Sequence, residues 1–227
     1  MTIIYKNSNV VLKKTKKKKE YELTTDWEKN TKAFWVNFPF PYLKIIDEKT
    51  DTDEKTQTKK YTIYSDSITI LSEWIKKHKE DYAVAIQMIY DIGNQLQTLE
   101  GFNLAVPFLD TDDIIVVENE KSLHFLYIND DKVYSFDVEN KIEINKLHKK
   151  SNYLPPELSS NNKLPIKLHY KSGIYSLACL VSHNLLSKQI NEKNKNESLE
   201  IIFPTKLFWT LKRMLETEPS DRHYLII

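Results

Sequence analysis

The apolar residues of this chain change their spacing along its length, and that change constrains the fold more than any other feature. Near the start they fall in short runs bounded by turn residues. Ile3-Ile4-Tyr5 and Val10-Val11-Leu12-Lys13 flank Lys6-Asn7-Ser8-Asn9, a pattern of two strands around a turn. Thr25 and Glu28 have the spacing of a capping box and predict a helix to about Trp35, ended by Phe38-Pro39-Phe40-Pro41. Tyr42–Ile46 and Tyr61–Tyr64 read as paired strands on either side of a polar loop, Asp47–Lys60. Helical periodicity then sets in over Ile68–Lys77 and Tyr82–Leu99, the latter with Val84, Ile86, Ile89, Ile92, Leu96 and Leu99 on one stripe and Gly101 as its cap. Two β-type runs, Ile114–Glu118 and Leu123–Ile128, surround Asn119-Glu120-Lys121. A loop to Pro156 and helices over about 172–186 and 205–217 complete the chain, with an Asn/Lys-rich linker, Gln189–Ser198, between those helices. Strands first, helices later and a hairpin between the helical groups predict an α+β fold.

Composition removes several function classes. The chain has 227 residues and only three glycines, Gly93, Gly101 and Gly173. Phosphate-cradling loops need glycines close together so that backbone amides can approach the anion. Walker, Rossmann and kinase-type glycine loops are therefore excluded in their usual forms. The 13 Tyr, 9 Phe and 4 Trp support a real core, and a net charge of +1 gives no global field for nucleic acid or an anionic membrane. The single cysteine, Cys179, sits in the apolar run Leu177-Ala178-Cys179-Leu180-Val181 and reads as a small buried hydrophobe. No apolar stretch nears the ~20 residues of a membrane helix. Met1-Thr2-Ile3-Ile4-Tyr5 is too short for a signal peptide. A soluble, cytoplasmic protein is expected. Lys13–Lys19 reads as a solvated loop, with a phosphate or acidic-partner patch as the alternative.

Three motifs near the C-terminus carry a resemblance. Tyr153-Leu154-Pro155-Pro156-Glu157, Gly173-Ile174-Tyr175-Ser176-Leu177 and Leu215-Glu216-Thr217-Glu218-Pro219-Ser220-Asp221-Arg222 are similar, in order and spacing, to the last third of a eukaryotic-type protein kinase. They correspond there to the "APE" end of the activation segment, the "D-x-W-S-L-G" helix and the closing "L-x-x-D-P-x-x-R". The resemblance implies a bilobal kinase-like fold, with a reduced β-rich N-lobe over 1–66 and a helical C-lobe over 67–227. It also implies a structural ion pair between Glu157 and Arg222, 65 residues apart. Leu164–Tyr170 and Thr205–Trp209 further resemble degenerate kinase-like proteins of large DNA viruses.

The departures from the family pattern decide the expected function. Val106-Pro107-Phe108-Leu109-Asp110-Thr111-Asp112-Asp113-Ile114-Ile115-Val116 is similar to the catalytic loop "H-R-D-L-K-P-E-N-I-L-V". Phe108 then stands where the catalytic aspartate belongs, and a phenyl ring cannot accept a proton. Asp110 replaces the γ-phosphate lysine. Asp113 replaces the metal-binding asparagine, and Asn129 falls at the "D-F-G" aspartate; both are oxygen donors and remain metal candidates. Lys13 and Glu28 match the ATP-anchoring lysine and its helix partner, but too few residues precede Lys13 for a glycine loop. Gly173 replaces the "D-x-W" aspartate, which leaves the usual bracing of the catalytic loop in question.

The reading is a catalytically inactive kinase-like protein, a pseudokinase, that binds a protein partner as a scaffold in a host cytoplasm or virion. It needs no cofactor. One alternative is an atypical serine/threonine kinase using ATP and Mg²⁺ through Lys13, Glu28, Asp113 and Asn129; another is a structural component of a large assembly such as a virion. The six histidines are scattered without a zinc spacing, no serine elbow is present, and no aromatic-basic platform for nucleic acid occurs.

Overall fold

The structure, a computed structural model, describes residues 1–26, 43–52, 57–78, 81–145, 151–159 and 163–224. In chain order its strands and α-helices are β1 (Thr2–Lys6), β2 (Val10–Lys14), β3 (Glu20–Asp26), β4 (Lys44–Thr52), β5 (Gln57–Tyr64), β6 (Ser67–Ile70), α1 (Leu71–Trp74), α2 (Tyr82–Glu100), β7 (Leu104–Ala105), β8 (Ile114–Asn119), β9 (Ser122–Tyr127), β10 (Tyr134–Ser135), β11 (Lys141–Ile144), α3 (Pro156–Ser159), β12 (Ile166–His169), α4 (Ser172–Leu186), α5 (Lys195–Leu199) and α6 (Lys206–Met214). The fold is α+β with several antiparallel sheets.

The chain divides into two compact units, 1–77 with 112–133, and 78–111 with 134–227. A linear division at residue 66 differs from this, because hydrogen bonding between β6 and β8 joins the 114–127 hairpin to the N-terminal unit. That unit holds a five-stranded antiparallel sheet of order β1-β2-β3-β5-β4 and a three-stranded sheet of order β6-β8-β9. Along β3, Tyr21, Leu23 and Thr25 are buried while their neighbours are partly exposed, the period-2 signature of a strand with one covered face. Thr25 is therefore not a helix cap, since strand alternation overrides the capping-box spacing. Glu28 and the remainder of the helix expected to Trp35 lie outside the described residues.

Two further expectations change. The polar Asp47–Lys60 segment is largely strand, because β4 and β5 continue as a ladder supported by the Lys59–Glu48 ion pair at 2.8 Å. Ile68–Lys77 is helical only in α1. Its first residues pair with β8 instead, and Trp74 anchors the turn by an edge contact with Phe125 and a hydrogen bond to Glu118 at 3.0 Å.

The second unit is built on α2 and α4, which pack against each other. Asp81 caps α2 by accepting from Ala83 N–H at 2.8 Å. Residues Ser172–Ser182 of α4 are buried without interruption, as befits a helix surrounded by its own domain. The expected loop to Pro156 contains β10 and β11. The latter pairs with β12 over a small core of Ala105, Ile142, Ile144, Ile166 and Leu168. Part of the Asn/Lys-rich linker is helical, forming α5.

The glycines do not serve as left-handed turn residues. Lys19, Asn103, Asn140 and Ser187 take the positive φ values instead, and Gly101 ends α2 in a right-handed conformation. Gly93 and Gly173 serve close packing. A Cβ on Gly93 would lie 2.9 Å from the Tyr224 ring, and one on Gly173 would lie 2.1 Å from the Val106 carbonyl oxygen.

Candidate functional site

Asp113 closes a short 3₁₀ turn, Thr111–Asp113, at the entry to β8, and Asn129 follows β9. The antiparallel register of β8 and β9 brings the two together, and the Ile128 amide donates to the Asp113 carbonyl at 2.9 Å. The structure thus unites the two metal candidates of the sequence, but it uses their oxygens internally. Asn129 Nδ2 donates to Asp113 Oδ1 at 2.6 Å, and Lys132 Nζ donates to Asp113 Oδ2 at 2.5 Å. The Asn129 carbonyl accepts from Asn7 Nδ2 at 3.1 Å and from the Asp131 amide at 3.2 Å.

The turn between β1 and β2 closes on this cluster. Asn7 Nδ2 also donates to Asp130 at 3.1 Å, Ser8 Oγ bonds Asp131, and Asn9 Nδ2 reaches Asp131 at 3.3 Å. Asn7 fixes its own turn by accepting from Val10 N–H at 2.6 Å and Asn9 N–H at 3.0 Å. Tyr5 stands nearby and is buried. Desolvation, reinforced by Asp113, Asp130 and Asp131, pushes its phenol well above the ordinary range and keeps it neutral.

A divalent ion at Asp113 has to displace a partly buried ammonium and an amide from a carboxylate that already has partners on both oxygens. Among the described residues no group of three His, Cys, Asp or Glu side chains is arranged to hold a metal. Both Asp113 carboxylate oxygens and the Asn129 side-chain oxygen already have partners within the protein.

Lys13 also has a local partner. It lies on β2 opposite Glu22 of β3 and forms an ion pair with it, while Lys60 reaches the other Glu22 oxygen at 2.7 Å. Burial tends to raise the Glu22 carboxyl, but the two ammonium groups hold it below the usual range. Within the lysine run, Lys17 pairs with Glu20 at 3.2 Å and Lys19 pairs with Asp66. The run is the charged connection between β2 and β3, with much of its charge locally answered.

The second unit holds the other sequence candidates. Phe108 is buried at 1% exposure, in an apolar loop that includes Val106 and Leu109. This loop rests on α4. Leu109 N–H donates to Ser176 Oγ at 2.8 Å, and Gly173 lets the helix backbone meet the Val106 carbonyl. Ser176 and Gly173 thus supply bracing through a hydroxyl and close contact rather than a carboxylate. Asp110 is half-buried and accepts from Thr111 Oγ1 at 3.3 Å.

Glu157 and Arg222 form the expected ion pair. It is bidentate, with Nη1–Oε1 at 2.7 Å and Nη2–Oε2 at 3.0 Å. Arg222 is fully buried and also donates to the Glu216 and Thr217 carbonyls at 2.9 and 3.0 Å. Its guanidinium lies 4.9 Å from the Tyr175 ring centroid. Burial works to raise the Glu157 carboxyl, but Arg222 and the Ser172 hydroxyl overcome it and hold the group below the usual range. The folded carboxyl is therefore more acidic than the unfolded one. Its stabilisation is fully present above the unfolded pKa of about 4.3 and is lost as pH falls through the folded value. Urea midpoints measured from neutral pH downward are expected to fall more steeply for the wild type than for Glu157→Gln.

Sequence reasoning missed Asn7, Ser8, Asn9 and Lys132. Lys6–Asn9 is legible as a turn, but its hydrogen-bond partners lie more than 120 residues away in the chain. It also missed a cavity of about 490 Å³ in the second unit, lined in part by Tyr90, Glu100, Tyr170, Lys171 and Tyr224. Among the described residues no helix is long and apolar enough to cross a membrane. No protein-family model matches the chain, and neither does any curated protein.

Proposed function

We propose that this chain is a kinase-like protein without phosphotransfer activity, working as a protein-binding module. The observation that carries the proposal is the state of Asp113. Its carboxylate is bonded by Lys132 and Asn129, and the β1–β2 turn bonds Asn129 and the residues after it. Phosphoryl transfer relies on metal-held phosphates and a base that positions the acceptor hydroxyl. Here an ammonium fills the cation's role, and the residue matched to the base is a buried phenylalanine.

Support for the kinase-like part comes from the second unit. The buried Glu157–Arg222 pair and the seating of the 106–109 loop on α4 are what the motif resemblance leads one to expect. Fold alone does not confer function, so the binding role rests on the loss of catalytic chemistry at these positions. A cytoplasmic setting belongs to the same reading. Its support is that the chain has a single cysteine, Cys179, which is buried and free.

A thermal-shift titration with ATP and ADP, with and without Mg²⁺ or Mn²⁺, tests the proposal. A ligand at one hundred times its Kd stabilises a protein by ~2.7 kcal/mol, which such a titration detects easily. No shift at millimolar nucleotide is expected. A saturable, metal-dependent shift lost in Asp113→Ala overturns the proposal in favour of an atypical kinase.

A further inference from the structure

Residues 201–213 gather exposed apolar groups on one short stretch of the second unit. Ile201, Phe203 and Trp209 are 73%, 57% and 46% exposed. Phe203, Phe208 and Trp209 hold one another edge to face, with centroids 5.1 Å (203–208), 6.2 Å (203–209) and 4.9 Å (208–209) apart. Such mutual packing limits rotamer freedom, so little entropy remains to be lost when a partner settles on these rings. Exposed tryptophan with apolar neighbours is the composition of binding hot spots rather than of ordinary surface.

Three cations stand on the same stretch. Lys206, Lys212 and Arg213 are exposed, and no Asp or Glu occurs from Ile201 to Leu215. Lys212 Nζ lies 5.5 Å from the Trp209 centroid and 5.9 Å from that of Phe208. Among the described residues none of these three cations is in an ion pair, whereas Lys17, Lys19, Lys59, Lys76 and Lys195 all have acidic partners. Exposed apolar anchors beside cations that form no ion pair among the described residues call for a ligand that is apolar at its centre and anionic beside it.

We infer that this face docks an acidic protein segment, which places an aliphatic or aromatic side chain against Ile201, Phe203 and Trp209 and its carboxylates against Lys206, Lys212 and Arg213. The inference rests on the binding-module reading and gives that module its surface. A membrane fits less well. Lipid recognition by basic clusters takes about 4–8 Lys or Arg at ~1 kcal/mol each. Here there are three, and Glu197, Glu200, Glu216 and Glu218 flank them in sequence. A narrow peptide avoids those acids more readily than a broad anionic plane.

Fluorescence anisotropy on the full chain tests this, using a short fluorescein-labelled peptide of Glu and Asp around a Leu-Phe pair. Its counterpart with lysine at every acidic position is the control. Saturable binding of the acidic peptide is expected, weakened by NaCl and by about tenfold or more in Trp209→Ser and in Lys212→Glu/Arg213→Glu. Thermal midpoints of these surface variants should stay near the wild-type value. The inference fails if the acidic peptide does not bind saturably, if the lysine peptide binds as well, or if both variants bind like wild type. It also fails if phosphatidylserine vesicles take up the protein through Trp209 in preference to the peptide, or if sedimentation shows a self-dimer abolished by Trp209→Ser. Peptide failure with a silent nucleotide titration removes this surface alone, whereas a nucleotide shift removes the binding-module reading beneath it.

Discussion

Replacing Arg222 by alanine is expected to cost about 3–5 kcal/mol of unfolding free energy, the range for breaking a buried ion pair from one side. The guanidinium has no solvent exposure, whereas the Glu157 side chain is 22% exposed. It satisfies Glu157 and two backbone carbonyls at once and lies over Tyr175. Its loss leaves all of these acceptors short of a donor. Glu157→Ala should cost less than Arg222→Ala, because the arginine keeps its carbonyl partners. Arg222→Lys should recover only part of the loss, since an ammonium cannot make the paired N–H contacts of a guanidinium. Urea unfolding of the three variants checks the order. A total below about 1 kcal/mol for both alanine variants contradicts the packing described here and weakens the kinase-like reading with it. Such a loss is large beside the ~5–15 kcal/mol that holds an ordinary domain together.

Gly173→Ala should be the second severe substitution, at about 3 kcal/mol. Helix propensity points the other way, favouring alanine by ~1 kcal/mol inside a helix. The added methyl, however, would meet the Val106 carbonyl oxygen at 2.1 Å, and that atom is backbone rather than the end of a flexible side chain. Either α4 or the 106–109 loop must move, which also disturbs the Leu109–Ser176 hydrogen bond. Gly101→Ala is the control. Its added methyl would meet nothing nearer than 3.4 Å, and its φ is already right-handed, so a change near zero is expected. Equal effects at the two positions would contradict a close-packing role for Gly173.

Much of the local structure was legible before any coordinates. The alternation in Val10–Lys13 and the stripe from Ile89 to Leu99 state their own period, and β2 and α2 follow them. Glu157 and Arg222 are legible as a pair only through the resemblance to the kinase motifs, which implies that the two meet. The errors have physical causes. Thr25 fits a short-range rule that strand pairing with β2 and β5 outweighs. The polar ladder of β4 and β5 gains its stability across strands, through pairs such as Lys59–Glu48, and so leaves little trace along either one. Ile68 and Thr69 were drawn from an expected helix into hydrogen bonding with β8, a segment about 45 residues further on.

By itself, then, the sequence determined the α+β class, the scarcity of glycine that rules out a usual phosphate loop, and the absence of an acid at position 108. Those are properties of residue type and period, which need no partner to be read. The tertiary structure decided which groups Asp113 and Lys13 meet. Identity alone left Asp113 a possible metal ligand and Lys13 a possible phosphate anchor. Folding brings Lys132 and Asn129 to the first and Glu22 to the second, within bonding distance. A carboxylate's chemistry depends on which charge reaches it first, and that is a question of neighbours in space rather than in sequence.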